Sequence, residues 1–158
     1  MNIFDDYTHQ LLSELNKNNV HYIVVGGYAV NFHGYRRTTG DIDLWIKPDN
    51  GENKKLILKS LKNLKVEDAI LKEIDKLDFT KPTVFIDGEE PFRIDFMTHI
   101  SNVTFDEAFE KKTVATFDNM KIPFLHLNHL ILSKITTGRD KDKDDIEKLQ
   151  RIEKLKRK

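Results

Sequence analysis

Residues 26–46 read GGYAVNFHGYRRTTGDIDLWI. Two glycines stand at the head of this stretch and two aspartates, Asp41 and Asp43, near its end. On an extended strand, side chains two apart point to the same face, so Asp41 and Asp43 set their carboxylates side by side while Ile42, Leu44 and Ile46 take the other face. A sheet that buries one face against helices explains the apolar set. It does not explain two neighbouring carboxylates, which repel each other unless a cation lies between them. A divalent ion is the natural counter-charge, because Mg²⁺ prefers one or two carboxylates completed by water and substrate phosphates. An isolated Asp-x-Asp is more often a solvated strand end. The glycines before this one, and a third carboxylate after it, give the pair its meaning.

Upstream, residues 20–25 form a β-branched and aromatic run cut off by Gly26 and Gly27, the pattern of a buried strand leading into a tight turn. Glycines there let the backbone approach a phosphate that a Cβ would crowd, and a short helix from about Tyr28 to Phe32 would aim unpaired amides at an anion. Downstream, residues 83–86 and 91–97 read as two strands joined by the turn Asp87-Gly88-Glu89-Glu90. Asp95 lies in the second, flanked by Ile94 and Phe96 on the opposite face. If that strand neighbours the one carrying Asp41 and Asp43, three carboxylates converge.

Helical spacing of Phe4, Leu11, Leu12 and Leu15 predicts a first helix, and Leu56, Ile57, Leu61 and Leu64 predict another over residues 52–64. Residues 66–77 repeat that pattern less cleanly, and 105–109 suggest a short helix. Residues 113–117 and 120–125 alternate as a hairpin around Asp118-Asn119. Asn128 is expected to cap a helix running to about Thr137 and stopped by Gly138. A last helix starts near Lys141 with Ile146, Leu149 and Ile152 on one side. This is an α/β (α+β) pattern: one mixed, twisted β-sheet flanked by helices, in a single domain over residues 1–158. Its core covers about 20–125, and the helices of about 126–158 pack against it.

Lys plus Arg equals Asp plus Glu at 26 each, so the whole chain carries no electrostatic bias toward nucleic acid. The absence of cysteine excludes disulfides and thiolate metal sites and fits a cytoplasmic protein. No signal peptide or membrane span is expected. His126 and His129, three apart, lack a carboxylate at helical spacing and read as cap or surface histidines. His33 and His99 lie near the proposed site in sequence without a defined role. Trp45, which shares the alternation of Asp43, is expected to pack against a helix rather than stack on a base. The closing RIEKLKRK sets five basic groups against one acid, as a solvated helix end or a contact to nucleic-acid backbone.

With Gly26-Gly27, then Arg37, Thr39, Asp41 and Asp43 in an R-x-T-x-D-I-D-L arrangement, the chain resembles the DNA polymerase β-type nucleotidyltransferase superfamily. Within it, the chain looks most like the small bacterial nucleotidyltransferases related to AbiEii-type toxins of toxin-antitoxin systems. Arg93-Ile94-Asp95 is similar to the third-carboxylate strand of that superfamily. Lys134, Gly138-Arg139 and Lys141-Asp142 with Asp145 resemble its late lysine and charged helix start.

The resemblance implies the nucleotidyltransferase fold. It implies Asp41 and Asp43 as ligands of Mg²⁺ or Mn²⁺, with Asp95 completing the metal site and serving as base. Gly26 and Gly27 would cradle the triphosphate of an NTP, Arg37, Lys134 and Lys141 would add positive charge, and Thr39 would orient the turn before Asp41. Transfer of a nucleoside monophosphate to a hydroxyl acceptor would follow, the acceptor being RNA, such as a tRNA end, or a partner protein. A cognate toxin or antitoxin is the implied biological partner. The competing expectation is a non-catalytic nucleotide-binding or protein-interaction domain on the same scaffold.

Overall fold

The computed structural model describes residues 4–34, 40–88, 93–135 and 140–156, the side chains of 140–142 and 156 excepted. A six-stranded mixed sheet forms its centre, in the order β3-β4-β2-β1-β6-β5. The strands are β1 (Tyr22–Val25), β2 (Ile42–Ile46), β3 (Val84–Asp87), β4 (Ile94–Met97), β5 (Thr113–Phe117) and β6 (Met120–Phe124). β1 runs antiparallel to β2 and parallel to β6, while β2 runs parallel to β4. The outer pairs β3/β4 and β5/β6 are antiparallel. The second of these closes through Asp118 and Asn119, both at positive φ (48° and 65°), the backbone that a two-residue hairpin turn requires.

Among the described residues, seven helices surround the sheet: α1 (Asp6–Lys17), α2 (Gly26–Phe32), α3 (Glu52–Asn63), α4 (Asp68–Asp75), α5 (Phe105–Glu110), α6 (Leu127–Lys134) and α7 (Asp140–Lys156). None among the described residues is long and apolar enough to cross a membrane. The Asp5 carboxylate caps α1 by accepting from the Thr8 amide at 3.0 Å and the Thr8 hydroxyl at 2.7 Å. That helix buries Leu11, Leu12 and Leu15. The expected helices and strands are all present, with shifted ends. α2 starts at Gly26 rather than Tyr28, so the glycine turn is itself the first turn of the helix. The cap of α6 is His126, not Asn128: a His126 ring nitrogen accepts from the Asn128 amide at 3.1 Å. The expected end of that helix, Thr137 and Gly138, lies outside the described residues.

Directly paired residues share a face of a sheet, and the two faces here differ. On one, Leu44 pairs with Val24 and Phe96, and Phe96 pairs with Phe85. Stacking of Phe85 on Phe96 at 4.6 Å and on Phe79 at 5.8 Å continues that layer into the core. On the other face lie Ile23, Trp45 and Met97 in one row, and Val25, Asp43 and Asp95 in the next. Trp45 is fully buried, donates its indole N–H to the Thr98 carbonyl at 2.8 Å and meets Phe105 of α5 edge-on at 5.2 Å. It is a packing residue.

Where β2 gives way to α3, Asp49 accepts from the Gly51 amide at 2.6 Å and the Asn53 amide at 3.4 Å. The Gly51 hydrogen bond is the main reason that its carboxyl lies below the ordinary value. A depressed folded value contributes stability that is present above the unfolded value of about 3.9 and is lost as pH falls through the folded one. The midpoint difference between wild type and Asp49→Ala is therefore expected to be constant near neutrality and to shrink below about pH 4, read from thermal melts across that range.

Candidate active site

The site begins where β1 stops. After Val25 the chain turns through Gly26 at φ +65° into α2. Val25 pairs with Asp43, and Asp43 pairs with Asp95 on the parallel neighbour β4. Asp43 and Asp95 thus stand side by side on one face, beside the glycine turn. The turn and the carboxylate touch: a Cβ placed on Gly26 would lie 2.1 Å from Asp43 Oδ2. Both the backbone angle and the close approach demand glycine at this position.

Asp41 immediately precedes β2, two residues before Asp43. It joins the cluster through Arg93, which immediately precedes β4 and shares the alternation of Asp95. Arg93 Nη2 is 3.0 Å from Asp41 Oδ2. The same guanidinium binds Asp95 in bidentate fashion, Nε at 2.9 Å from Oδ1 and Nη2 at 3.1 Å from Oδ2. Arg93 thus sets a positive charge between Asp41 and Asp95. Asp41 Oδ1 is buried with no hydrogen-bond partner among the described residues. In the arrangement held by Arg93, no group of three His, Cys, Asp or Glu among the described residues is placed to hold a metal ion.

Tyr28, on the first turn of α2, borders the same cluster. Burial raises its phenol above the ordinary value, and the negative charges of Asp5 and Asp41 add to that effect. Its ring stacks on Phe4 at 5.7 Å. Sequence reading missed both Tyr28 and the bridging role of Arg93. The available signal for Arg93 was its spacing, two residues before an aspartate in a strand.

The other expected site residues fall in three groups. Arg37 and Thr39, and the Lys141 side chain, lie outside the described residues. Gly27 is buried within α2 beside Gly26. Lys134 is buried at the end of α6, where its ammonium is 3.0 Å from Asp145 Oδ2 of α7. His33 is buried with Nε2 2.7 Å from the Leu125 carbonyl, and the exposed His99 contacts the Thr98 hydroxyl at 2.8 Å.

The architecture recurs in solved structures. A lincosamide antibiotic adenylyltransferase, LnuA, solved with lincomycin bound, aligns with 96% of this chain and 99% of its own at TM-score 0.55 and 16% identity. A candidate nucleotidyltransferase from Thermotoga maritima covers 92% of this chain and 91% of its own at TM-score 0.54 and 14% identity. The antibiotic-resistance factor ANT(2'')-Ia covers 95% and 89% at TM-score 0.53 and 14% identity. At such identities the likeness establishes the nucleotidyltransferase fold alone. No curated protein sequence matches the chain. Residues 2–156 match the family model described as nucleotidyltransferase of unknown function, DUF6036, and the chain belongs to that family of enzymes.

Proposed function

We propose that this enzyme transfers a nucleoside monophosphate from an NTP to a hydroxyl acceptor, with release of pyrophosphate, and that it does so with a divalent metal held by Asp41, Asp43 and Asp95. The observation that carries this reading is the row Val25–Asp43–Asp95, with the Gly26 turn pressed against the Asp43 carboxylate. The donor set fits Mg²⁺ or Mn²⁺: the oxygens are hard, they come from adjacent strands, and Asp41 Oδ1 is buried with a lone-pair site unused by any hydrogen bond among the described residues. When bound, such an ion neutralises the charge on the triphosphate and on the departing pyrophosphate.

The chain itself supplies position. Gly26 and Gly27 bring the start of α2 close to the triphosphate without a Cβ in the way. Arg37, Thr39 and Lys141 stay in the proposal as the positive and hydroxyl groups around it, and Lys134 stays in it only as a lysine whose ammonium must first leave Asp145. Asp95 takes the proton of the acceptor hydroxyl as its oxygen bonds to the α-phosphorus, while the bond from that phosphorus to the bridging oxygen of pyrophosphate breaks. The whole of residues 1–158 acts as one catalytic domain in this reading, and a cytoplasmic setting fits it.

The acceptor is the end of an RNA, tRNA above all, or a hydroxyl of a partner protein, in a toxin-antitoxin pairing of the AbiEii kind. The names of LnuA and ANT(2'')-Ia add antibiotic hydroxyls as a third class to be assayed. Each α-labelled NTP is incubated with Mg²⁺ and the protein in separate arms containing total RNA, cell extract, lincomycin or tobramycin. Label is expected to move in one arm, and Asp43→Asn is expected to lower that rate on the order of 10³-fold or more. Equal behaviour of wild type and Asp43→Asn, with no label moved in any arm, sinks the reading.

A further inference from the structure

The guanidinium of Arg93 sits where the acidic strands need a cation. Its short contacts include three to these carboxylates, one to Asp41 Oδ2 and one to each oxygen of Asp95. These are charge-assisted bonds in the bidentate geometry that arginine favours with a carboxylate. They use three of the four oxygens that Asp41 and Asp95 possess, and the fourth, Asp41 Oδ1, is buried with no hydrogen-bond partner among the described residues. A metal held by the same two side chains must therefore compete with Arg93 for oxygens already occupied. The arginine reaches these carboxylates from the solvent side, its side chain being 35% exposed. Phosphate is the other partner that a guanidinium grips in bidentate fashion, so an arriving triphosphate offers it a replacement.

We propose that Arg93 is a positioning residue, a displaceable counter-cation that keeps Asp41 and Asp95 in place without metal and yields them when metal arrives with nucleotide. This rests on the metal-dependent reading given above. Metal alone then binds weakly, because it gains the carboxylates only by breaking the three arginine contacts. Metal with triphosphate binds better, because the released guanidinium gains phosphate oxygens. An ordinary surface ion pair, which stabilises a fold little, makes no such demand on metal affinity.

Mn²⁺ binding to the full chain without nucleotide, read from loss of the free-ion paramagnetic resonance signal, tests this without reference to turnover. Arg93→Gln is expected to bind Mn²⁺ at least about tenfold more tightly than wild type, the equivalent of about one charge-assisted hydrogen bond that no longer has to be broken. Arg93→Lys, which keeps a charge but loses the two-carboxylate fork, is expected to fall between them. Thermal melts establish that each variant is folded, and the lysine variant carries the test if the glutamine variant does not fold. Affinity in the folded variants equal to or weaker than wild type overturns the proposal. A different failure marks the parent reading: if neither wild type nor variants bind Mn²⁺ and Asp43→Asn behaves as they do, the metal site itself is absent and both ideas fall together.

Discussion

Gly26→Ala is expected to reduce nucleotidyl transfer by about 10²-fold or more while leaving a folded protein. Two separate penalties act at this position. The residue adopts φ +65°, and an L side chain in that left-handed region costs roughly 1–2 kcal/mol. The added Cβ would also stand 2.1 Å from Asp43 Oδ2 and 3.0 Å from its Cγ, so either the carboxylate swings away or the start of α2 lifts off β2. Either response moves one of the groups that the reaction needs held to a fraction of an ångström. The strain alone lowers the thermal midpoint by a few degrees, since about 1 kcal/mol corresponds to roughly 2–4 °C in a chain of this size. Gly40→Ala is the control, one residue before Asp41, because a Cβ there meets nothing within 4 Å among the described residues. Comparison of initial rates and melts for the two alanine variants separates loss of the site from loss of the fold. Wild-type transfer by Gly26→Ala would show that the contact with Asp43 has no bearing on catalysis.

The parts of this site visible in the sequence are those set by local rules. Strand alternation puts Asp41 and Asp43 on one face, and a glycine pair after a β-branched run marks a tight turn. The Asp118-Asn119 hairpin was equally legible, because two adjacent residues determine it. Long-range register was not. Nothing in the spacing of Arg93 says that it will lie against Asp41; that follows only once β4 pairs in parallel with β2 and sets Asp95 opposite Asp43. Two neighbouring carboxylates call for a positive charge, but strand alternation does not say that a guanidinium from the start of β4 will stand beside them. Tyr28 was hidden for the same reason, since its proximity to Asp5 depends on how α1 and α2 pack.

Lys134→Met is expected to destabilise the protein by about 3–5 kcal/mol, the second large effect and one that the sequence alone would not suggest. A lysine near a catalytic segment reads as a phosphate ligand on an exposed helix face. In the structure its side chain is 9% exposed and that of its partner Asp145 only 1%, with 3.0 Å between the ammonium and Oδ2. Removing the ammonium takes a charge 3.0 Å away from a carboxylate that is 1% exposed, so less of its desolvation is offset. For a chain of this size the midpoint should fall by roughly 6–20 °C. The double variant Lys134→Met/Asp145→Leu tests the cause, because a buried ion pair exchanged for apolar groups of similar volume is often neutral or better. The double variant should therefore recover most of the loss, giving a large coupling between the two positions in a double-mutant cycle. Denaturant melts on all four proteins supply the numbers. A Lys134→Met protein within about 1 kcal/mol of wild type, with a raised KM for NTP, would instead return this lysine to the phosphate role that its position in the sequence suggests.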